Sequence, residues 1–250
     1  MRVYAVQHDI VWEDQAANCR SVSALLEKER PDAGSLVVLP EMFSTGFSMD
    51  PGASVARAET LDFLSRLACS NQVYLLAGVV SIDESGVSRN EAVLWNPDGL
   101  VGGRYVKQRG FTMGGESSVY TTGDSHVVLV CGEIRIAPFI CYDLRFPELF
   151  RPTVAEGAEL LVLIASWPDA RIQHWRHLLR ARAIENQCYV IGVNRVGSDP
   201  ALNYSGQSLV IDYQGEIVVD GGEREGVITS SLDFLAQREY RAKLPFLQDG

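Results

Sequence analysis

Short runs of Val, Leu and Ile punctuate the chain: Val3 to Gln7, Leu36 to Leu39, Val73 to Val80, Glu91 to Trp95, Val101 to Lys107, Val127 to Val130, Ile134 to Ile140, Leu160 to Ile164, Tyr189 to Val193 and Ser208 to Ile211. Apolar runs of this length, bounded by polar or turn residues, predict strands. Longer amphipathic stretches separate some of them, at Gln15 to Arg30, Glu59 to Asn71, Pro147 to Glu156 and Ile172 to Gln187. These predict helices. Two further connections, Asn96-Pro97-Asp98-Gly99 and Asp212-Tyr213-Gln214-Gly215, carry hairpin turn chemistry. Mixing β-α-β units with hairpins predicts an α/β fold with mixed rather than all-parallel sheets. No Pro/Ser linker, charge block or internal repeat divides the chain, so residues 1–250 read as one domain.

Composition narrows the function. Hydrophobic residues at 46% and charged residues at 22% exclude a disordered or fibrous chain. No stretch approaches the roughly 18 consecutive apolar residues of a membrane span, and the opening MRVYAVQHDI lacks the layout of a secretion signal. A cytoplasmic protein without membrane contact is the expectation. The 22 Lys and Arg residues against 32 Asp and Glu give a net charge of −10, which disfavours nucleic acid. His174 and His177 lie three apart with Trp175 and Arg176 between them, which is not a zinc-peptidase helix, and no phosphate-binding glycine loop is present. Neither metal nor cofactor is expected. Cys19, Cys69, Cys131, Cys141 and Cys188 are odd in number and contain no CxxC pair, so no disulfide framework is suggested.

Three places combine a strand end with a reactive side chain. Leu36-Val37-Val38-Leu39 stops at Pro40 and then presents Glu41. The run ending Tyr105-Val106-Lys107 leads into a polar, glycine-containing loop that holds Glu116. Ile134 to Ile140 ends at Cys141, and Phe146-Pro147-Glu148 then reads as a helix start, so the sulfur is expected to feel a helix dipole that favours thiolate. Taken singly, each has a plain alternative: a loop carboxylate, an edge lysine, a buried cysteine. The other four cysteines fall within helical or strand segments and read as structural.

Together, Leu39-Pro40-Glu41, Tyr105-Val106-Lys107 with Gly115-Glu116, and Cys141-Tyr142-Asp143-Leu144-Arg145-Phe146-Pro147-Glu148 resemble the three signature blocks of the nitrilase superfamily of carbon–nitrogen hydrolases, in the same order and over essentially the whole chain. The resemblance implies a four-layer α-β-β-α sandwich, a Glu41–Lys107–Cys141 triad with Glu116 as second glutamate, a homodimer, and a small-molecule amide as substrate. Glu41-Met42-Phe43-Ser44-Thr45-Gly46-Phe47, Ala165-Ser166-Trp167-Pro168, His174-Trp175 and Arg182 to Gln187 are most similar to the bacterial omega-amidase branch, which hydrolyses the terminal amide of 2-oxoglutaramate and often of 2-oxosuccinamate. One departure is visible. That branch carries Arg-His-Leu-Phe after the lysine, whereas this chain has Gln108-Arg109-Gly110-Phe111.

Amide hydrolysis needs a nucleophile, a proton shuttle and a receiver for the oxyanion. Cys141, Glu41, and Lys107 with the Tyr142 N–H fill those parts, and the pairing requires Glu41 and Lys107 to be buried. Arg171 and Arg145 are placed to receive a distal carboxylate, with Arg145 equally able to serve a salt bridge. Trp167 is either a pocket wall or core. Two other readings stay open: the same triad acting on a nitrile, a carbamoyl amine or a damaged metabolite's amide, and a thiol redox sensor built on Cys141.

Overall fold

The computed structural model describes residues 1–249. Its strands are β1 (Arg2–Gln7), β2 (Leu36–Val38), β3 (Tyr74–Ile82), β4 (Ser88–Trp95), β5 (Val101–Val106), β6 (Leu129–Cys131), β7 (Ile134–Ile140), β8 (Leu160–Ala165), β9 (Tyr189–Asn194), β10 (Val196–Ser198), β11 (Asn203–Ser205), β12 (Leu209–Ile211), β13 (Ile217–Asp220) and β14 (Gly226–Ser231). The helices are α1 (Gln15–Glu29), α2 (Pro51–Ser54), α3 (Ala58–Asn71), α4 (Phe150–Ala155), α5 (Ile172–Asn186) and α6 (Phe234–Lys243). Two six-stranded sheets form, ordered β14-β1-β2-β3-β4-β5 and β13-β12-β9-β8-β7-β6. Both are mixed. β1-β2-β3 and β7-β8-β9 are parallel, while the flanking pairs are antiparallel.

Period-2 alternation explains the layers. In the first sheet Val3, Ala5, Leu36, Val38 and Leu76 join the core shared with the second sheet, including Ile136, Val162 and Ile191. Their neighbours Tyr4, Val6, Val37, Leu39 and Leu75 pack instead with Val22 and Leu26 of α1 and Leu64 and Ala68 of α3. Strands covered on both faces have no polar side, which is why they read as unbroken apolar runs. On the far face, α5 packs on β9 and β12 and against α4, burying Trp175, Leu179 and Ala183. The result is the four-layer α-β-β-α sandwich. Asp14 and Asp233 cap α1 and α6 by accepting the N–H of Ala17 and Ala236.

Several details correct the sequence reading. Pro147 to Glu156 is not one helix: tight turns span Cys141–Arg145 and Pro147–Leu149, and only Phe150–Ala155 is α-helical before Gly157 ends it at φ +93°. β14 and α6 were not anticipated, and β13 was read only as the run that follows the Asp212–Gly215 hairpin turn. The two strands are half-exposed, with only Ile228 of their residues buried, so little apolar signal marks them. Cys188 lies in the joint between α5 and β9 rather than inside an element, and Cys69 is exposed rather than packed.

Because β7, β8 and β9 run parallel, Cys141, Ser166 and Arg195 emerge at one edge of the second sheet. β2 and β5 end at the facing edge of the first sheet, where Glu41 and Lys107 follow. Open α/β sheets place their sites at such carboxyl ends.

Candidate active site

Glu41 is fully buried at 0% exposure. Its Oε1 accepts Lys107 Nζ at 2.7 Å and Asn90 Nδ2 at 2.8 Å, and its Oε2 accepts the Ser166 N–H at 2.8 Å. Gly78 of β3 makes this position possible: a Cβ there would lie 2.6 Å from Glu41 Cα and from the Pro40 carbonyl oxygen.

Lys107 is buried just past β5, with Nζ 2.8 and 2.9 Å from the two oxygens of Glu116 and 5.2 Å from the centre of the Phe47 ring. Burial opposes the ammonium, but the charges of Glu41 and Glu116 outweigh it and hold Lys107 protonated above its ordinary range. Glu116 is itself buried, takes Asn90 Nδ2 at 2.9 Å, and accepts the Phe111 N–H at 2.7 Å. That last bond ties the carboxylate pair to the pocket wall.

Cys141 opens the turn after β7 with φ at +48°, a strained left-handed conformation for a residue with a Cβ. Its residue is half-buried and lines a cavity of about 260 Å³. The helix-dipole expectation fails here, since the turn that follows is a five-residue 3₁₀ segment without a long dipole. Burial pushes the thiol well above its usual range, the Glu41 charge adds to this, and Lys107 offsets only part. Both influences favour the thiol form over the thiolate.

Asp143 staples the turn to the lysine strand. It accepts Tyr105 Oη at 2.8 Å, the Ile140 N–H at 3.0 Å and the Arg109 N–H at 2.9 Å. Tyr105 and Arg109 flank Lys107, and Ile140 precedes Cys141. Burial raises the Asp143 carboxyl to about 6, against the pull of Lys107 and these donors.

The cavity wall combines aromatic rings from Phe47, Phe111, Tyr142 and Trp167 with Arg145 and Arg171. Trp167 is wall and core at once: it lines the cavity, packs 5.7 Å from Trp175, and donates Nε1–H to the Arg171 carbonyl at 2.9 Å. The Arg145 guanidinium carbon lies over the Trp167 ring, 4.9 Å from its centre, and that of Arg171 lies 5.5 Å from the centre of the Phe111 ring. Neither arginine takes part in the ion pairs found among the described residues. Within the departing segment, Arg109 leans on Phe146 and faces Glu148, and a Cβ on Gly110 would collide with Ser117 Oγ at 2.7 Å. The loop therefore keeps close contact with the segment bearing Glu116. Among the described residues no group of three or more His, Cys, Asp or Glu side chains could hold a metal.

The geometry thus gathers Glu41, Lys107, Glu116 and Cys141 into one buried cluster, with Tyr142, Trp167, Arg145 and Arg171 on the adjoining wall. Sequence reading passed over Asn90, which bridges both glutamates, and Asp143; their only signals were a polar residue opening an apolar strand and a carboxylate two places after the cysteine. The Ser166 N–H left no signal at all.

The family model for carbon–nitrogen hydrolases matches residues 2–242. The chain belongs to the carbon–nitrogen hydrolase family. It is 38% identical over 253 residues to the omega-amidase YafV of Escherichia coli K12, covering all of this chain and 96% of that protein. It is 31% identical over 250 residues to the 2-oxoglutaramate amidase of Bacillus subtilis, covering 99% and 96% respectively. A crystal structure of a CN-hydrolase superfamily protein from Xanthomonas campestris, which carries an arsenic adduct in its active site, superposes with a TM-score of 0.92 at 35% identity, over 100% of this chain and 97% of that one. Among the described residues no helix is long and apolar enough to cross a membrane.

Proposed function

We propose that this chain is an omega-amidase, a single-domain cysteine hydrolase that cleaves the terminal amide of 2-oxoglutaramate or 2-oxosuccinamate to ammonia and the 2-oxo dicarboxylate. The observation carrying this reading is the convergence of Glu41, Lys107, Glu116 and Cys141 beside a cavity whose wall holds two arginines without acidic partners. The names of its relatives agree with it.

In this reading Glu41 accepts the thiol proton as Cys141 Sγ bonds to the amide carbon. Coupling the two events avoids forming a free thiolate, which burial beside Glu41 disfavours. Lys107 and the Tyr142 N–H receive the oxyanion, and Glu116 holds the ammonium in place. The protonated Glu41 gives its proton to the departing nitrogen, breaking the C–N bond and releasing ammonia. Glu41 then takes a proton from water, whose oxygen attacks the thioester carbon, and returns it to the leaving sulfur. Arg145 and Arg171 receive the substrate's distal carboxylate, the guanidinium fork matching its two oxygens.

The enzyme works in this account as a cytoplasmic homodimer, joined through the helices after Cys141 and through α5, on whose surface Ile184 is 53% exposed. Light scattering across a concentration series tests the dimer. Ammonia release from 2-oxoglutaramate, a simple nitrile and N-carbamoyl amino acids tests the activity; turnover of only the last two defeats the omega-amidase reading while leaving the hydrolase in place.

A further inference from the structure

Positive charge collects where α5 begins. Arg145 ends the turn opened by Cys141, Arg171 is the N-cap of α5, and His174 lies in its first turn. None of the three forms an ion pair among the described residues. Arg145 instead has one polar side-chain partner, its Nη2 standing 3.2 Å from His174 Nδ1. Guanidinium nitrogens only donate, so the imidazole nitrogen must accept. Nδ1 is therefore the acceptor in this contact.

Arginine is a long side chain, and its contact with the Trp167 ring holds the head near the wall without fixing the direction of its N–H groups. The bond to His174 supplies the missing restraint. We infer that His174 is a positioning residue for substrate recognition: its Nδ1 lone pair locks the Arg145 fork at the cavity wall in the orientation that receives the substrate's carboxylate. This rests on the reading above in which Arg145 takes that carboxylate.

Protonation reverses the arrangement. An imidazolium has no acceptor for Nη2 and sets a second positive charge against the guanidinium. The charged groups on the elements packed around this turn are Asp143 and Arg145, Arg135 of β7, Arg151 of α4, Asp169 and Arg171 before α5, and Arg176, His177, Arg180, Arg182 and Glu185 on α5 itself, with Asp199 on the cavity wall; β9 and β12 contribute none. Asp143 is committed to Tyr105, Ile140 and Arg109, Arg176 pairs with Asp220, and Arg182 pairs with Glu185.

The test uses steady-state kinetics on 2-oxoglutaramate for wild type, His174→Ala, His174→Asn and Arg145→Ala. Alkylation of Cys141 by uncharged iodoacetamide reports on folding and on the nucleophile. His174→Ala should raise KM roughly tenfold while kcat stays within about twofold and alkylation is unchanged. His174→Asn, whose Oδ1 stands where Nδ1 stood, should bring KM back toward wild type. A KM unmoved by His174→Ala while Arg145→Ala raises it overturns the positioning role and leaves the carboxylate reading intact. An Arg145→Ala enzyme with wild-type KM overturns the carboxylate reading, and the positioning role with it. Should His174→Ala slow alkylation or lower kcat as much as it raises KM, its effect is structural and the inference fails; His174→Asn decides the case in which the alanine variant does not fold.

Discussion

Lys107 Nζ lies 2.7 Å from Glu41 Oε1, a contact in which neither side chain is more than 3% exposed. Glu116 Oε2 lies 2.8 Å from the same ammonium. The lysine is thus the only cation in contact with two buried carboxylates among the described residues, so its removal strands both. Lys107→Met should cost about 3–5 kcal/mol of stability in urea denaturation, the usual consequence of breaking a buried pair from one side. Adding Glu116→Gln should recover part of that loss, while ammonia release stays absent in both variants. Full stability in the single variant would mean that one carboxylate is already neutral.

The reactivity of Cys141 should show the proton kept on sulfur. Burial first, and the Glu41 charge second, raise the thiol, so the thiolate fraction is small at neutral pH and grows only in alkali. The rate of iodoacetamide inactivation should still be rising at pH 9, where an ordinary thiol, with pKa about 8.5, is levelling off. Glu41→Gln should separate two quantities that usually move together. It removes a neighbouring negative charge while leaving Lys107, so the alkylation midpoint moves to lower pH, yet amide hydrolysis is lost for want of a base. A plateau below pH 8 in the wild type would contradict this picture.

Glu41, Lys107 and Cys141 were legible because each follows an apolar strand at its carboxyl end, where a proline or a change of hydrophobic pattern marks the stop. The mixed α/β strands were legible for a related reason, since strands such as Leu160–Ala165, buried on both faces, have no polar alternation, while the four-layer sandwich was implied by the resemblance to the nitrilase superfamily. The support around the triad was harder to read. Ser166 acts through its backbone N–H, which every residue but proline possesses. Asn90 acts within the first sheet, 49 residues from Glu41 along the chain, and Asp143 acts across the two sheets, 38 residues from Tyr105. The thiolate expectation failed because it assumed a regular helix after Cys141, while Pro147 and the buried Asp143 shape short turns instead.

Asp143 gives the fold a pH dependence of definite sign. Its carboxyl is raised from 3.8 to about 6, so between those values the folded protein holds a proton that the unfolded chain releases. Stability from this group is fully present below pH 3.8 and is lost as pH rises through 6. The shift corresponds to roughly 3 kcal/mol at 1.36 kcal/mol per unit. Other carboxylates also titrate here, so the measurement is the difference between wild type and Asp143→Asn in urea denaturation across this range. That difference should shrink as pH rises. A difference independent of pH would show that Asp143 titrates alike in both states.

Gly78 offers a test of placement that touches no ionisable group. It sits in β3, antiparallel to β4 at Ala92, and its N–H and carbonyl bond to the Pro40 carbonyl and the Phe43 N–H, on either side of Glu41. A methyl group there would stand 2.6 Å from Glu41 Cα and 2.8 Å from Met42 N, both backbone atoms that cannot rotate aside. Gly78→Ala must therefore push the Pro40–Met42 segment away from β3, and Glu41 with it. Overpacking of this kind costs about 1–3 kcal/mol. A displacement of order 1 Å at a catalytic group costs roughly 100-fold in rate. The variant should fold, keep its thiol accessible to iodoacetamide, and lose about two orders of magnitude in kcat with KM little changed. Wild-type kcat in a folded Gly78→Ala enzyme would show that the position of Glu41 does not limit the reaction.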